Sequence, residues 1–119
     1  MAQLFHKNDQ ILSDMVYATS ILQISKGLMF AGKKKINKGM CLVIPSKMDE
    51  RINSSVTMLF CFYSMDIIFV DSNFNVVDKQ TLRPFKVCYV PKKKCRYVIE
   101  SFKGKFNNIK IGDKIEIHL

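Results

Sequence analysis

The sequence predicts a mainly β (α+β) fold: a compact curled sheet or small barrel of about seven or eight short, mostly antiparallel strands with one short covering helix. Three observations predict it. Short apolar runs recur along the chain and are separated by turn residues. A single segment carries apolar residues at helical spacing. The C-terminus alternates apolar and polar residues with a period of two.

The elements follow in chain order. Asp14–Ala18 reads as a strand. Thr19 or Ser20 then offers an N-cap, because its oxygen can accept an orphan N–H of the first helical turn. Ile21, Leu22, Ile24, Leu28 and Met29 give the helical face over about residues 20–30, and Gly32 suits its stop. Lys33-Lys34-Lys35 and Asn37-Lys38-Gly39 read as a basic loop, and Met40–Ile44 as a strand closed by Pro45. Residues 46–53 are polar and turn-like. Val56–Tyr63 is apolar on both faces, as in a central strand, which places Phe60 and Phe62 in the core. Met65–Val70 is a second such run and ends at Asp71-Ser72-Asn73, a turn signal whose side chains bond back to the backbone. Asn75–Lys79 is the returning strand of that hairpin. Phe85–Val90 lies between two prolines as a further strand, Lys92-Lys93-Lys94 forms a second basic loop, and Arg96–Ser101 returns as a strand. Ile109, Ile111, Ile115, Ile117 and Leu119 are assigned to the core, and Lys110, Lys114, Glu116 and His118 to solvent, with Gly112-Asp113 as an intervening turn.

The 119 residues fit one domain spanning 1–119. The net charge of +9 is concentrated late: from Lys79 onward, eleven Lys and Arg stand against three Asp and Glu. Such an excess attracts polyanions and equally keeps a monomer soluble. No apolar run is long enough to span a bilayer and no secretory leader is legible, so a cytoplasmic protein is expected. Cys41, Cys61, Cys88 and Cys95 show no metal-binding spacing, and His6 and His118 stand at opposite ends of the chain. A Cys88–Cys95 disulfide across a hairpin is conceivable but disfavoured in a reducing compartment. No metal and no cofactor is expected.

In these residues the chain resembles a known family, domain of unknown function 192. The matching pieces, in order, are Gly27-Leu28-Met29-Phe30, Gly39-Met40, Leu42-Val43-Ile44, Asp66 to Asp71, Val76-Val77, Tyr97-Val98-Ile99-Glu100 and Gly112-Asp113. The resemblance runs from about residue 18 to 117, and Pro91 to Val98 looks most like archaeal members. Many bacterial members carry an Asn and a Thr where this chain has apolar Phe60 and Cys61, so chemistry resting on that amide and hydroxyl does not carry over. Many also carry a leader. The resemblance implies a compact strand-rich fold and no established reaction.

Two constellations could carry chemistry. Asp66, Glu100 and Asp113 sit at strand ends or in a turn, where a convergent pair could hold a cation or share a proton; the alternative is that each bonds local backbone N–H groups. Lys33, Lys34, Lys35, Lys92, Lys93, Lys94 and Arg96 could form a basic patch that neutralises phosphates; the alternative is an ordinary solvated surface. Single-strand binders also need exposed aromatics, and Phe60, Phe62 and Phe69 are expected in the core. A pocket lined by Met29, Met40, Met58 and Met65 is a third possibility, set against plain core packing. A Ser or Cys nucleophile needs a nearby base, but both histidines lie in terminal strands, His118 on the solvent-facing set, and no phosphate-cradling glycine loop is present. The favoured reading is a small non-catalytic binding or accessory domain. A basic module for nucleic acid or another polyanion comes second, and a hydrolase-like or metal-dependent enzyme using strand-end carboxylates third.

Overall fold

The computed structural model describes residues 2–19, 32–45, 62–85 and 89–119. Ala2–His6 (β1) turns at Lys7 and Asn8 into Asp9–Ala18 (β2). Both turn residues have positive φ, +50° and +68°, which gives the hairpin a backbone twist matching its strands. The predicted strand over Asp14–Ala18 is the second half of β2. The N-terminal hairpin escapes sequence reading because the alternation of β1 includes a buried histidine, His6, beside Ala2 and Leu4.

The expected basic loop after Gly32 is instead a helix, Lys33–Lys38 (α1). Ile36 is its only buried residue; the lysines keep to the solvent side. Gly32 stands at the N-cap of this helix in an extended conformation, with φ −84°. The predicted helix over 20–30, the turn over 46–53 and the run over 56–61 lie outside the described residues.

Gly39 leads directly into Met40–Val43 (β3). Met65–Val70 (β4) has all six side chains buried, as a strand apolar on both faces requires, and each large one contributes about 1.5–3 kcal/mol. Val76–Leu82 (β5) completes the predicted hairpin, and Tyr97–Phe102 (β6) and Glu116–His118 (β7) follow.

The seven strands form one sheet in the order β5-β4-β6-β3-β2-β1-β7. Neighbours are antiparallel except β2 and β3, whose long connection carrying α1 permits a parallel crossover. The two edges of the sheet then approach each other. Asn75 bridges to Lys114, Gly112 N donates to Val76 O at 2.8 Å, and Ile115 N donates to Phe74 O at 3.0 Å. The sheet is thus curled into a half-barrel. Leu4, Leu12, Met15, Ile68, Ile99, Phe106 and Ile115 pack in one apolar cluster, and Ile36, Met40, Leu42, Ile67, Phe69 and Val98 in the other, on the opposite face. Met40 and Met65 belong to this second cluster as ordinary core residues.

Three residues assigned to the core are exposed instead. Phe62 precedes β4 and is 53% exposed. Ile111 and Leu119 are exposed because the turn at Gly112-Asp113 breaks the alternation; of that set only Ile109 and Ile115 are fully inside. The strand expected from Phe85 begins instead with Phe85 in a turn, half exposed, and Val90 is also exposed. Among the described residues no helix is long and apolar enough to cross a membrane.

Gly39 holds the crossover in place. Its φ is +81°, and a Cβ there would lie 2.7 Å from Leu12 Cδ1 and 3.0 Å from the Glu100 carbonyl oxygen. Gly39→Ala should therefore cost about 2 kcal/mol, read as a lower urea midpoint at unchanged slope.

Candidate functional site

The three carboxylates singled out in the sequence do not converge. Asp66 pairs across the sheet with Thr81 and Ser101, whereas Glu100 pairs with Met40 and Ile67. Directly opposed residues share a face, so Asp66 and Glu100 point to opposite faces. Asp113 accepts from Lys110 N at 3.0 Å, and its carbonyl receives Val76 N. That places it at the far end of β5 from Thr81, roughly 16 Å away along the strand.

Each carboxylate has a separate local role. Asp66 is buried and accepts from Thr81 Oγ1 at 2.5 Å and Gly104 N at 2.8 Å, so it ties the β6 exit to the hairpin. Asp113 holds its turn closed and bonds His6 Nε2 at 2.8 Å. The Lys110 N–H, then the His6 contact, hold its carboxyl below the usual range. Glu100 is 3% exposed and is hydrogen-bonded to no described side chain; burial pushes its pKa up to about 7. Among the described residues no group of three or more His, Cys, Asp or Glu could hold a metal ion. The Cys41 thiol is driven up to about 12 by burial, which removes it as a nucleophile at neutral pH.

The basic residues also divide. α1 carries Lys33, Lys34 and Lys35 and lies at the Phe102 end of β6, where Ser101 Oγ donates to Ile36 O at 2.8 Å. Lys92, Lys93, Lys94 and Arg96 precede Tyr97, at the other end of that strand. A six-residue strand separates the two groups by about 17–20 Å, so they do not form one continuous face.

The second group is held on a rigid frame. Asp78, fully buried on β5, accepts from Lys92 N at 3.1 Å and from Tyr89 Oη at 2.5 Å through Oδ2, and from Lys79 N at 2.8 Å through Oδ1. Gln80 Nε2 donates in turn to Tyr89 Oη at 3.0 Å. Burial, then the bond to Asp78, raises the Tyr89 hydroxyl to about 12, so it stays a donor. At the far end of the loop, Arg96 N donates to Val70 O at 2.8 Å and Ile44 N donates to Arg96 O at 2.7 Å. The facing turn is fixed too: Asp71 Oδ1 accepts from Asn73 N and Asn75 N, both at 2.9 Å.

Between loop and turn lies a cleft of about 240 Å³ lined by Asp71, Ser72, Lys94, Cys95 and Arg96. It offers an ammonium, a guanidinium and a hydroxyl, with one carboxylate already engaged in its own turn. A larger cleft of about 350 Å³ beside β1 is lined by Phe5, Lys7, Asn8, Asp113, Lys114 and Glu116, where two cations meet two carboxylates and cancel. The net positive potential therefore belongs to the smaller one. Sequence reading finds Lys92, Lys93, Lys94 and Arg96 but not Asp78 and Tyr89. The one available signal is a charged residue, Asp78, at an apolar-phase position of β5 beside Val76.

Comparison with known proteins agrees with this architecture. The profile of the domain of unknown function 192 family, described as Uncharacterized ACR, matches residues 4–117. A UPF0127 protein of Pyrococcus horikoshii is 42% identical over 101 residues, covering 83% of each chain. One of Pyrococcus abyssi is 36% identical over 112 residues, covering 81% of this chain and 95% of its own. A protein of unknown function from Novosphingobium aromaticivorans superposes with a TM-score of 0.75 at 21% identity, over 97% of this chain and 82% of that one, which shows a shared fold. With this match over nearly the whole chain, the chain belongs to the uncharacterised domain of unknown function 192 family.

Proposed function

We propose that the protein is a non-catalytic binding domain that holds a small anionic molecule, of the phosphate or carboxylate class, in the cleft between Asp71-Ser72 and Lys94–Arg96. The observation that carries this reading is the pinned loop: Lys92 N and both backbone groups of Arg96 are fixed by partners, so the cationic side chains start from a preorganised backbone. Arg96 supplies a planar fork that suits two oxygens of one anionic group, and Lys94 a point charge. Lys92 and Lys93, outside the cleft lining, contribute long-range attraction that salt screens.

Titration calorimetry with inorganic pyrophosphate tests the reading. Arg96→Ala is expected to weaken binding about ten-fold or more, and Arg96→Lys to restore only part of it. Lys92→Ala with Lys93→Ala should flatten the salt dependence and leave high-salt affinity in place. Equal affinity in the parent and in Arg96→Ala would remove the cleft as the binding site.

A further inference from the structure

We propose that the opposite pole of the molecule carries a second site, for single-stranded nucleic acid, built on the Phe62–Phe85 ring pair. The two rings contact edge to face, with centroids 5.5 Å apart and planes at 78°. Both are half-exposed, Phe62 at 53% and Phe85 at 50%. They extend past the β4 and β5 ends, where Met65 pairs with Leu82.

Phe85 also has a φ of +64°. A bulky residue in the left-handed region costs of order 1 kcal/mol or more, and glycine would remove that cost. Here the strained position carries a large apolar ring and sends half of it into water. Its contact with Phe62 leaves half of the ring open to solvent, where it can meet a ligand.

Cations stand on the segments next to the pair. Arg83, two residues before Phe85, is exposed. Tyr63, next to Phe62, packs edge to face on Phe102 at 5.6 Å, and Lys33 Nζ lies 5.9 Å from the Tyr63 ring centre. Lys34 and Lys35 continue the exposed row on α1, and exposed Lys103 is tied alongside by its N–H to Ser64 O at 3.2 Å. Rings that offer a face to a base, with ammonium groups within reach of the adjoining phosphates, are the two components of sequence-tolerant single-strand binding. A duplex keeps its base faces stacked and cannot use the rings. A protein partner fits less well, because protein interfaces are depleted in lysine.

Fluorescence anisotropy with a labelled oligothymidylate of about twelve nucleotides, at about 50 mM salt, is the test. Phe62→Ala and Phe85→Gly are each expected to weaken binding about five-fold or more. Phe85→Gly should do so while keeping or raising the melting temperature, which separates loss of the ring from loss of the fold. Inorganic polyphosphate, which has charge but no bases, is measured in the Arg96→Ala background so that the other cleft does not take it; there it should bind the ring variants as it binds Arg96→Ala alone, and lose affinity when Lys33, Lys34 and Lys35 are changed to Ala. Arg96→Ala should leave oligothymidylate affinity unchanged, since that cleft lies at the other end of β6. Ring variants that bind the oligonucleotide as well as the parent, or a parent that binds phosphatidylserine vesicles and no oligonucleotide, would overturn the proposal.

Discussion

Glu100→Gln is expected to be about 3 kcal/mol more stable than its parent at about pH 8, with the advantage gone at about pH 4. The reason is an acid in an apolar layer with no partner among the described side chains. Glu100 faces Met40 and Ile67 on β6 and is 3% exposed. Burial pushes its pKa from 4.5 to about 7. Between those two values the folded chain keeps a proton that the unfolded chain has released. The unfolded state then binds fewer protons, so stability falls as pH rises through this window. Stability is full below about 4.5 and levels off above about 7. Across the window it falls by about 1.4 kcal/mol for each pH unit. Glutamine has no charge to desolvate, so its stability should be flat across the window. Urea denaturation at several pH values measures both curves. Parallel profiles for the two proteins would mean that Glu100 is not held neutral inside the fold.

Asp78→Ala is expected to cost about 2–4 kcal/mol and also to weaken pyrophosphate binding, because it strands the Tyr89 hydroxyl and the Lys92 N–H. Asp78 is as buried as Glu100 but accepts from three donors, so its oxygens are satisfied where those of Glu100 have no described side-chain partner. Asp78→Asn keeps the volume and one acceptor, and should fall between the parent and the alanine variant. The combination of readouts is diagnostic. Arg96→Ala lowers affinity without lowering stability, whereas Asp78→Ala lowers both, together with hydrogen-exchange protection at Lys92. Normal affinity in Asp78→Ala would show that the loop keeps its shape without this anchor.

The contrast between these two acids shows how much of the site is legible in the sequence. Glu100 and Asp78 both interrupt apolar strand runs, and nothing local separates one from the other. The difference arises from Tyr89 and Lys92, which reach Asp78 from outside β5. Asp66, Glu100 and Asp113 look alike as strand-end acids, yet sheet pairing sends the first two to opposite faces and the third to the far end of β5. The two lysine groups read as one patch along the chain and are two poles in space.

The fold class follows from periodicity, which is local. Six consecutive buried positions make β4 a central strand, and the Asp71-Ser72-Asn73 turn fixes its hairpin with β5. The family, too, is written in the order of short segments along the chain. What periodicity cannot reach is anything set by partners far away in sequence. The parallel β2–β3 pairing, the joining of the two edges at Asn75 and Lys114, and the exposure of Phe62 and Phe85 are of that kind. An apolar residue lowers its free energy equally well in any interior, so its own sequence context says that it prefers burial, not whether a surface remains to cover it. Sheet register and edge closure decide that, and with it which charges and rings are left facing solvent.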